Sequence, residues 1–426
     1  MTSYIKKVGV IGAGTMGAGI AGQVANAGTE VWLLDLPSNG EDVNILSAKG
    51  LERLKDPDMP GLMSEEAEKL INLGNTRDHF HELEDCDWIA EAVVERLDIK
   101  QALYRRLNDT CKESTIITSN TSTIPIKLLT EGMPTEFCER FAITHFFNPV
   151  RFMRLLELVR GEFTRDDVIN TLDVFSEINL GKGVVSCSDT PGFLANRVGV
   201  FAIQCALHNA FDLKLSPTEA DAFFGRPLGL PKTGVFGLYD LIGIDLMADV
   251  VKSLVSILPE NDAFHNYSAP IDFMTNMIAN GQTGNKNEKG FYKQDGDERK
   301  VINLSNGEYI QHERLKAPLL DMAEKNGVSV ILNDTGHYGI YIWRVLSETL
   351  CYAASLVPEV TEDLTQIDDA MKLGYNWAKG PFELLDEIGI QYFVDRLKSD
   401  GRDVPSFLLN YQSSKFYNGS ESGLNF

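Results

Sequence analysis

The sequence contains no apolar run that approaches the roughly 18 residues of a membrane-spanning helix. Its 6 cysteines are scattered and form no C-x-x-C pair, which excludes a disulfide framework and a zinc site and indicates thiols in a reducing compartment. Positive charge is also scarce, because 39 lysines and arginines stand against 61 acidic residues and give a net charge of −22. This charge argues against nucleic-acid or anionic-membrane binding. We therefore expect a cytoplasmic protein in which an anionic substrate meets a local basic patch.

The length and composition are those of an ordinary globular protein. A chain of 426 residues is too long for a single hydrophobic core, and we expect two or three domains. Hydrophobic residues make up 43% of the chain and charged residues 23%, which is typical of soluble domains.

The segment from Val8 to Asp35 predicts a strand, a glycine-rich turn, a helix and a second strand. Its glycines have G-x-G-x-x-G spacing, which permits a tight turn, a close approach of a pyrophosphate to the backbone, and close helix packing. The free N–H groups at the start of the helix would face the phosphates. We expect this turn to bind a dinucleotide through Gly12, Gly14, Thr15, Met16 and Gly17.

Asp35 ends the second predicted strand and decides which dinucleotide is expected. Its carboxylate can accept hydrogen bonds from both ribose hydroxyls and would repel a 2′-phosphate, so the sequence predicts NAD rather than NADP. A purely structural strand–helix–strand unit is the alternative.

Strands and helices alternate up to about residue 187, which predicts a doubly wound sheet whose ligands bind at the carboxyl ends of the strands. Later segments read as helices, among them 193–211, 238–258 and 381–397, with a loop and a polar stretch between 281 and about 307. The expected fold is α/β, a Rossmann-type NAD-binding domain followed by a duplicated all-α helical domain. The predicted domains are 1–188, 189–300 and 301–426.

The helical half contains an internal repeat. GVFGLYDLIGI (234–244) and GPFELLDEIGI (380–390) are identical at 7 of 11 positions at an offset of 146. Upstream, with a slip of one residue, Arg197 corresponds to Arg344. Two such copies can bury one shared apolar face, whereas a coincidence of glycine-rich helix ends is the alternative.

Polar side chains lie where a doubly wound fold presents ligands. His145 ends an apolar strand, where a histidine is often only a hydrogen-bonded core residue. Glu157 lies inside the apolar LLELV segment, and a carboxylate is costly to bury there without a partner. If the two strands pair around the turn at 148–151, Glu157 reaches one imidazole nitrogen and leaves the other for a substrate. Ser122 and Asn196 are candidates for holding a substrate oxygen.

These residues lie in motifs that resemble the 3-hydroxyacyl-CoA dehydrogenases of fatty-acid β-oxidation. The motifs are GAGTMGAGIA (12–21), SNTST (119–123), HFFNPVRFMRLLELV (145–159), DTPGFLANR (189–197), GRPLGLPKTGVFGLYDLIGID (225–245) and GNKNEKGFY (284–292). The duplicated helical domain resembles the dehydrogenase part of multifunctional β-oxidation proteins. In the short members of the family, a second subunit supplies that packing.

The resemblance implies an NAD-dependent oxidation of (S)-3-hydroxyacyl-CoA, with His145 as the general base and Glu157 as its partner. Ser122 and Asn196 would hold the reacting oxygen. Four further residues would contact NAD, namely Glu95, Lys100, Asn148 and Lys286. No metal is expected. A dehydrogenase of another hydroxy acid, such as a sugar acid, and a non-catalytic NAD-binding or structural relative are the alternatives.

The sequence departs from the short members where these hold coenzyme A. They use a serine and a lysine after the second strand, whereas this chain has Leu54 and DPDMPG (56–61). Lys49, Arg53 and Lys55 are the candidate substitutes for binding the phosphates of the acyl-CoA, and a solvated helix face is the alternative. The polar end, from 410 to 426, suggests part of a longer multifunctional protein. An enoyl-CoA hydratase is the expected fused or associated partner, and we expect a monomer or weak dimer.

Overall fold

The computed structural model describes residues 5–417, apart from the side chains of Glu324 and Asn326. The chain forms two compact units, Met1–Phe193 and Leu194–Phe426. The finer division into three domains stays a prediction, and the end of the polar C-terminal segment lies outside the described residues.

The first unit is built on an eight-stranded sheet with the order β3-β2-β1-β4-β5-β6-β7-β8. The first six strands run parallel, and β7 pairs antiparallel with β6 and parallel with β8. The antiparallel neighbour predicted for residues 155–159 is confirmed. The strands are Lys7–Ile11 (β1), Glu30–Asp35 (β2), Ile71–Asn75 (β3), Trp88–Glu91 (β4), Ile116–Ser119 (β5), Phe141–Phe146 (β6), Leu155–Arg160 (β7) and Gly183–Ser188 (β8).

Helices cover this sheet and connect its strands. Val8, Val10, Val31 and Leu33 are fully buried in the core, which explains the apolar runs of the parallel strands. The helices are Thr15–Asn26 (α1), Ile45–Arg53 (α2), Glu65–Glu68 (α3), Leu97–Thr110 (α4), Ile126–Leu129 (α5), Thr135–Glu139 (α6) and Asp166–Val174 (α7). The Rossmann-type fold predicted for this part of the chain is confirmed.

The second unit is mainly helical, as predicted. Two of the expected single helices are each interrupted by a glycine with positive φ, Gly243 at 111° and Gly389 at 94°. The helices are Ala195–Asp212 (α8), Pro217–Phe223 (α9), Gly234–Ile242 (α10), Ile244–Ile257 (α11), Asp272–Ala279 (α12), Pro318–Asn326 (α13), Ser329–Leu332 (α14), His337–Ser355 (α15), Leu364–Tyr375 (α16), Pro381–Ile388 (α17), Ile390–Ser399 (α18) and Ser406–Asn410 (α19).

The polar stretch after the GNKNEKGFY loop is a small antiparallel sheet, which the sequence prediction of a loop missed. Its strands are Tyr292–Asp295 (β9), Glu298–Ile302 (β10) and Tyr309–Gln311 (β11). Gly296 and Asp297 form the two-residue turn between β9 and β10, and Gly296 has a φ of 62°. A Gly-Asp turn is a hairpin signal, but the strands around it are too charged to show apolar alternation.

The internal repeat reappears as a repeated hydrogen-bonding arrangement. In the first copy, Asp221 accepts hydrogen bonds from the backbone N–H groups of Phe236 and Gly237 and from the hydroxyl of Tyr292. A second aspartate, Asp240, accepts from the N–H groups of residues 291 and 292. These bonds anchor the start of α10 and the GNKNEKGFY loop to α9.

The second copy repeats each of these bonds. Asp368 accepts from the N–H groups of Phe382 and Glu383 and from the hydroxyl of Tyr417. Asp386 accepts from the N–H groups of residues 416 and 417. Coincidental similarity of helix ends does not explain five matching hydrogen bonds to aspartates, so the repeat is structural.

The two copies pack on one another through α8 and α15, and a buried arginine joins them. Arg197 of α8 pairs with Asp262 at 2.5 Å and with Glu359 at 2.8 Å, and its Nε donates to the hydroxyl of Tyr352. Because Arg197 is only 2% exposed, these partners compensate for the cost of burying its charge.

The repeated aspartates predict how the stability of the second unit depends on pH. Burial raises the pKa of Asp221 and that of Asp368 from 3.8 to about 7, against the opposing effect of their hydrogen bonds. Between these values the folded state binds more protons than the unfolded state, so the free energy of unfolding should fall as pH rises from about 4 to about 7. We expect Asp368→Asn to flatten this dependence, as measured by urea unfolding across that range. An unchanged slope would contradict the titration of Asp368.

Candidate functional site

The glycine-rich turn between β1 and α1 has the geometry of a phosphate cradle. Gly12 has a φ of 99°, and a Cβ there would lie 2.4 Å from the carbonyl oxygen of Ala92. A Cβ on Gly17 would lie 1.7 Å from the carbonyl oxygen of Gly12, so only glycine allows this approach. A Cβ on Gly14 would meet no atom within 4 Å, which leaves open space at the N-terminus of α1. The turn therefore fits the pyrophosphate of a dinucleotide.

Asp35 ends β2 and is fixed beside this turn. Its Oδ2 accepts a hydrogen bond of 2.6 Å from the N–H of Ala13, and its Oδ1 accepts one of 2.6 Å from the N–H of Leu36. Each carboxylate oxygen retains a lone pair for a ribose hydroxyl.

Arg53 is also brought to the turn, because its Nη1 donates a 2.8 Å hydrogen bond to the carbonyl oxygen of Ala13. The other two predicted phosphate-binding residues are placed differently. Lys55 pairs with Glu52 and Glu68 at 3.1 and 2.8 Å, and Lys49 is exposed on α2. Of the three candidates, the structure places only Arg53 in contact with the glycine-rich turn.

His145 and Glu157 face each other across the antiparallel pair β6–β7. They are register partners, and the distance from His145 Nδ1 to Glu157 Oε2 is 2.6 Å. Glu157 is fully buried and His145 is 7% exposed. A carboxylate buried at this distance from one ring nitrogen holds the ring orientation and supports an imidazolium. The predicted contact between the two side chains is present.

The ring of His145 lies in an aromatic environment. Its centroid is 4.4 Å from that of Phe147 and 6.0 Å from that of Phe193. The turn between β6 and β7 is held by Lys182, whose buried ammonium group donates to the carbonyl oxygens of Val150 and Met153. Burial lowers the pKa of Lys182 to about 8. Sequence reasoning missed this residue, because a lone lysine before a strand gives no sign of its partners.

Ser122 lies in the segment that follows β5, close in sequence to a threonine–glutamate cluster. Glu95 accepts hydrogen bonds from the hydroxyls of Thr121 and Thr123 and pairs with Lys100 at 3.2 Å. Burial raises the pKa of Glu95, but Lys100 and the two hydroxyls outweigh burial and hold the pKa below its ordinary value. Within residues 5–417, the hydroxyl of Ser122 has no hydrogen-bond partner and can donate to a ligand.

Glu91 at the end of β4 is a buried residue that sequence reasoning missed. Its Oε1 accepts from Lys100 at 2.7 Å, and its Oε2 accepts from the hydroxyls of Tyr104 and Ser119 at 2.6 and 2.7 Å. A glutamate inside the apolar segment DWIAEAVV was the available signal. This network fixes the end of β4 and, through Lys100, the cluster around Glu95.

Asn196 and Lys286 belong to the second unit. Asn196 lies in the first turn of α8, and its Oδ1 accepts a 3.2 Å hydrogen bond from the hydroxyl of Tyr375 in the second copy. The ring of Tyr375 lies against Gly199, where a Cβ would come within 2.1 Å of it. Lys286 pairs with Asp245 at 2.6 Å. The partner of Asn196 comes from α16, which the sequence could not indicate.

The comparisons with known proteins agree with these features. The sequence pattern of the 3-hydroxyacyl-CoA dehydrogenase NAD-binding domain matches residues 7–190, and that of the C-terminal domain matches residues 192–294 and 339–413. The chain belongs to the 3-hydroxyacyl-CoA dehydrogenase family. The second match covers both copies of the repeat. NAD is therefore the cofactor, and the chain is an oxidoreductase of this family.

Members of the family from bacteria and animals align with most of the chain. A candidate fatty acid oxidation complex trifunctional enzyme of Rickettsia prowazekii is 40% identical over 90% of this chain and 53% of its own length. The chain thus spans about half the length of that relative. The mitochondrial hydroxyacyl-coenzyme A dehydrogenase of Rattus norvegicus is 36% identical over 68% of this chain and 91% of its own.

A solved structure supports the fold over both units. The 3-hydroxybutyryl-CoA dehydrogenase of Escherichia coli K12 superposes with a TM-score of 0.70 at 24% identity and covers 96% of this chain and 98% of its own. As for membrane insertion, none of the helices described between residues 5 and 417 is both long and apolar enough to cross a bilayer.

Proposed function

We propose that this chain oxidises (S)-3-hydroxyacyl-CoA to 3-oxoacyl-CoA in fatty-acid β-oxidation, with NAD as the hydride acceptor. The observation that carries the proposal is the buried contact of 2.6 Å between His145 Nδ1 and Glu157 Oε2. Family membership supplies the reaction class.

His145 acts as the general base in this proposal. Its Nδ1 is engaged by Glu157, so Nε2 is the atom that removes the proton from the 3-hydroxyl group. When bound at the glycine-rich turn, NAD would supply the acceptor for the hydride that leaves C3. The imidazolium that forms is stabilised by the carboxylate of Glu157.

Two further groups hold the reacting oxygen. The hydroxyl of Ser122 and the amide N–H of Asn196 donate to this oxygen and stabilise the charge that develops on it. Glu95, Lys100, Asn148 and Lys286 contribute to NAD binding, and Arg53 is favoured over Lys49 and Lys55 for a phosphate group because it touches the turn at Ala13.

NADH formation with (S)-3-hydroxyacyl-CoAs of increasing chain length tests the proposal. We expect turnover with several chain lengths and none with free hydroxy acids or sugar acids. Turnover of a sugar acid alone would favour a dehydrogenase of another hydroxy acid. NAD binding without any turnover would show a non-catalytic relative.

We propose a cytoplasmic protein that works with an enoyl-CoA hydratase, either fused or associated, and is itself a monomer or weak dimer. The trifunctional name of the relative from Rickettsia prowazekii supports a link to further activities of fatty acid oxidation. Purification of the native protein followed by assays of enoyl-CoA hydration tests this link, and a preparation with full dehydrogenase and no hydratase activity would contradict it.

Cofactor preference should depend on Asp35. We expect the unmodified protein to prefer NAD strongly, because a 2′-phosphate would be repelled by the carboxylate. Asp35→Ser combined with Leu36→Arg should narrow the preference by removing this repulsion and adding a cation. The ratio of kcat/KM for NAD and NADP measures the effect, and equal activity of the unmodified protein with both would contradict the assignment.

Tyr375 should act as a positioning residue for Asn196. The hydroxyl of Tyr375 donates a hydrogen bond to Asn196 Oδ1 and so fixes the orientation of the amide group. The N–H groups of Asn196 are then left for the substrate oxygen. We expect Tyr375→Phe to lower kcat by about tenfold, the effect of losing one positioning hydrogen bond, with little change in KM. If Asn196→Ala and the double variant Asn196→Ala, Tyr375→Phe lose the same turnover, Tyr375 acts through Asn196. A rise in KM alone would contradict this role.

A further inference from the structure

A large cavity lies in the second unit, between the first copy of the repeat and the segment that follows it. It has a volume of about 1460 Å³ and lies between α9, α10, the small sheet β9–β11 and the segment from residue 312 to 321. All of its lining residues belong to the second unit, whereas the glycine-rich turn belongs to the first. The cavity is therefore built without any residue of the dinucleotide turn.

The walls of this cavity are basic in a strongly acidic chain. They contain six arginine and lysine side chains although the chain as a whole has a net charge of −22. These six are Arg226, Lys232, Lys293, Arg299, Arg314 and Lys316. Four of them, Arg226, Lys232, Arg314 and Lys316, are exposed and take part in no salt bridge between side chains that the structure describes.

The acidic residues of the cavity form no salt bridge with the four exposed cations among the described side chains. Asp221 and Asp240 already accept backbone N–H bonds, and burial raises their pKa to about 7 and about 6, respectively. The hydrogen bonds thus engage both carboxylates, and the raised pKa leaves Asp221 partly protonated near neutral pH. Glu288 and Asp321 also line the cavity but form no salt bridge with its cations among the described side chains.

The second copy has two carboxylates that the first copy lacks. Asp369 and Glu383 pair there with Lys372 at 2.9 Å and 3.0 Å. At the offsets of the repeat, 147 and 146, these two acids correspond to Ala222 and Gly237, which both line the cavity.

The first copy therefore has uncharged residues where the second copy has these two carboxylates, although six cations line its cavity. Positive charges held near one another destabilise a protein unless an anion binds between them. Arginine guanidinium groups bind phosphate oxygens in pairs of hydrogen bonds, and lysines add point charges.

We propose that this cavity binds a ligand that carries two or more phosphate groups. Coenzyme A and other nucleotides share this chemistry. The inference does not depend on the proposed dehydrogenase reaction, because it rests only on the cavity, its cations and the comparison between the two copies.

Calorimetric titration of the full chain with pyrophosphate, coenzyme A and ATP tests the site, with NAD present at saturation to fill the dinucleotide site. We expect one pyrophosphate per chain. The double variant Arg314→Glu, Lys316→Glu should weaken binding by about a hundredfold, since each exchange removes a charge-assisted contact and adds repulsion. The neutral pair Arg226→Gln, Lys232→Gln should weaken it at least about tenfold.

The matched control is Lys252→Glu with Lys398→Glu, which changes the charge equally at exposed lysines outside the cavity. We expect it to change affinity by less than about threefold at moderate salt, because distant surface charges are screened. Tight binding of coenzyme A that the cavity variants weaken, together with much weaker binding of ATP, would identify coenzyme A as the occupant. An equal loss in the control, unchanged affinity in both cavity variants, or no binding of any of the three probes would overturn the proposal.

Discussion

Glu157→Gln should leave the affinity for NAD nearly unchanged and lower turnover by about 10²- to 10⁴-fold, the range that general acid–base catalysis contributes. In the native protein, Glu157 Oε2 lies 2.6 Å from His145 Nδ1. The glutamine amide can occupy the same buried position, but it carries no negative charge. The imidazolium that forms at His145 would then lose its electrostatic support. Steady-state rates of NADH formation and calorimetric NAD titration measure the two quantities.

The two residues should behave as a unit. We expect His145→Ala to be about as inactive as Glu157→Gln, and the double variant to be little worse than either, because both changes remove the same proton transfer. Since Glu157 is fully buried, thermal unfolding of each variant must confirm that the protein remains folded. Near-normal turnover of a folded Glu157→Gln protein would show that the pair is only structural.

Trp343→Ala should destabilise the second unit by about 3–5 kcal/mol, the usual cost of removing a large buried aromatic ring. Trp343 is 7% exposed, and its Nε1 donates a 2.6 Å hydrogen bond to Asp400. The guanidinium of Arg396 lies 3.9 Å from the ring centre. Urea unfolding measures the loss, and the fraction that remains folded should keep its turnover.

Asn196 corresponds to Trp343 in the repeat and should respond in the opposite way. Asn196→Ala should unfold little and lose most of its turnover, because the substrate oxygen loses a donor. Tryptophan has one donor and no acceptor, so the second copy cannot offer the same site. We therefore expect one catalytic acyl-CoA site per chain. A Trp343→Ala protein that is folded but inactive would contradict this difference between the copies.

The site in the first unit was predictable because its signals are local. A strand, three spaced glycines, a helix and an acid at the next strand end lie within the segment from Val8 to Asp35. The contact between His145 and Glu157 could be predicted from the sequence, because one turn connects their strands and a buried glutamate needs a partner. Their catalytic roles stay predictions.

Contacts between distant segments could not be predicted in this way. Arg53 rather than Lys55 touches the glycine-rich turn, because Arg53 is the last residue of α2 and faces Ala13, whereas Lys55 lies beyond the helix and pairs with Glu68. Tyr375 reaches Asn196 from 179 residues further along the chain. Glu91 was within reach of sequence reasoning, since it needed the same argument about a buried carboxylate that identified Glu157.

The repeat was visible in the sequence as short runs of identical residues and as the upstream match of Arg197 to Arg344. The identities around residues 234–244 and 380–390 include Asp240 and Asp386, but they do not show what these aspartates bind. Their partners are backbone N–H groups, which have no sequence signature. The small sheet β9–β11 was missed because its strands carry many charged residues and therefore do not show the alternation of apolar and polar residues that predicts a strand.

Arg197 shows what it means to have both copies in one polypeptide. Its partners Tyr352 and Glu359 belong to the second copy, so the interface between α8 and α15 is closed within a single molecule. A dimer that forms such an interface dissociates on dilution, and its melting temperature depends on protein concentration. Here the covalent link fixes the local concentration of one copy around the other, and dilution cannot separate them. The packing that supports Asn196 through Tyr375 therefore persists even at low protein concentration.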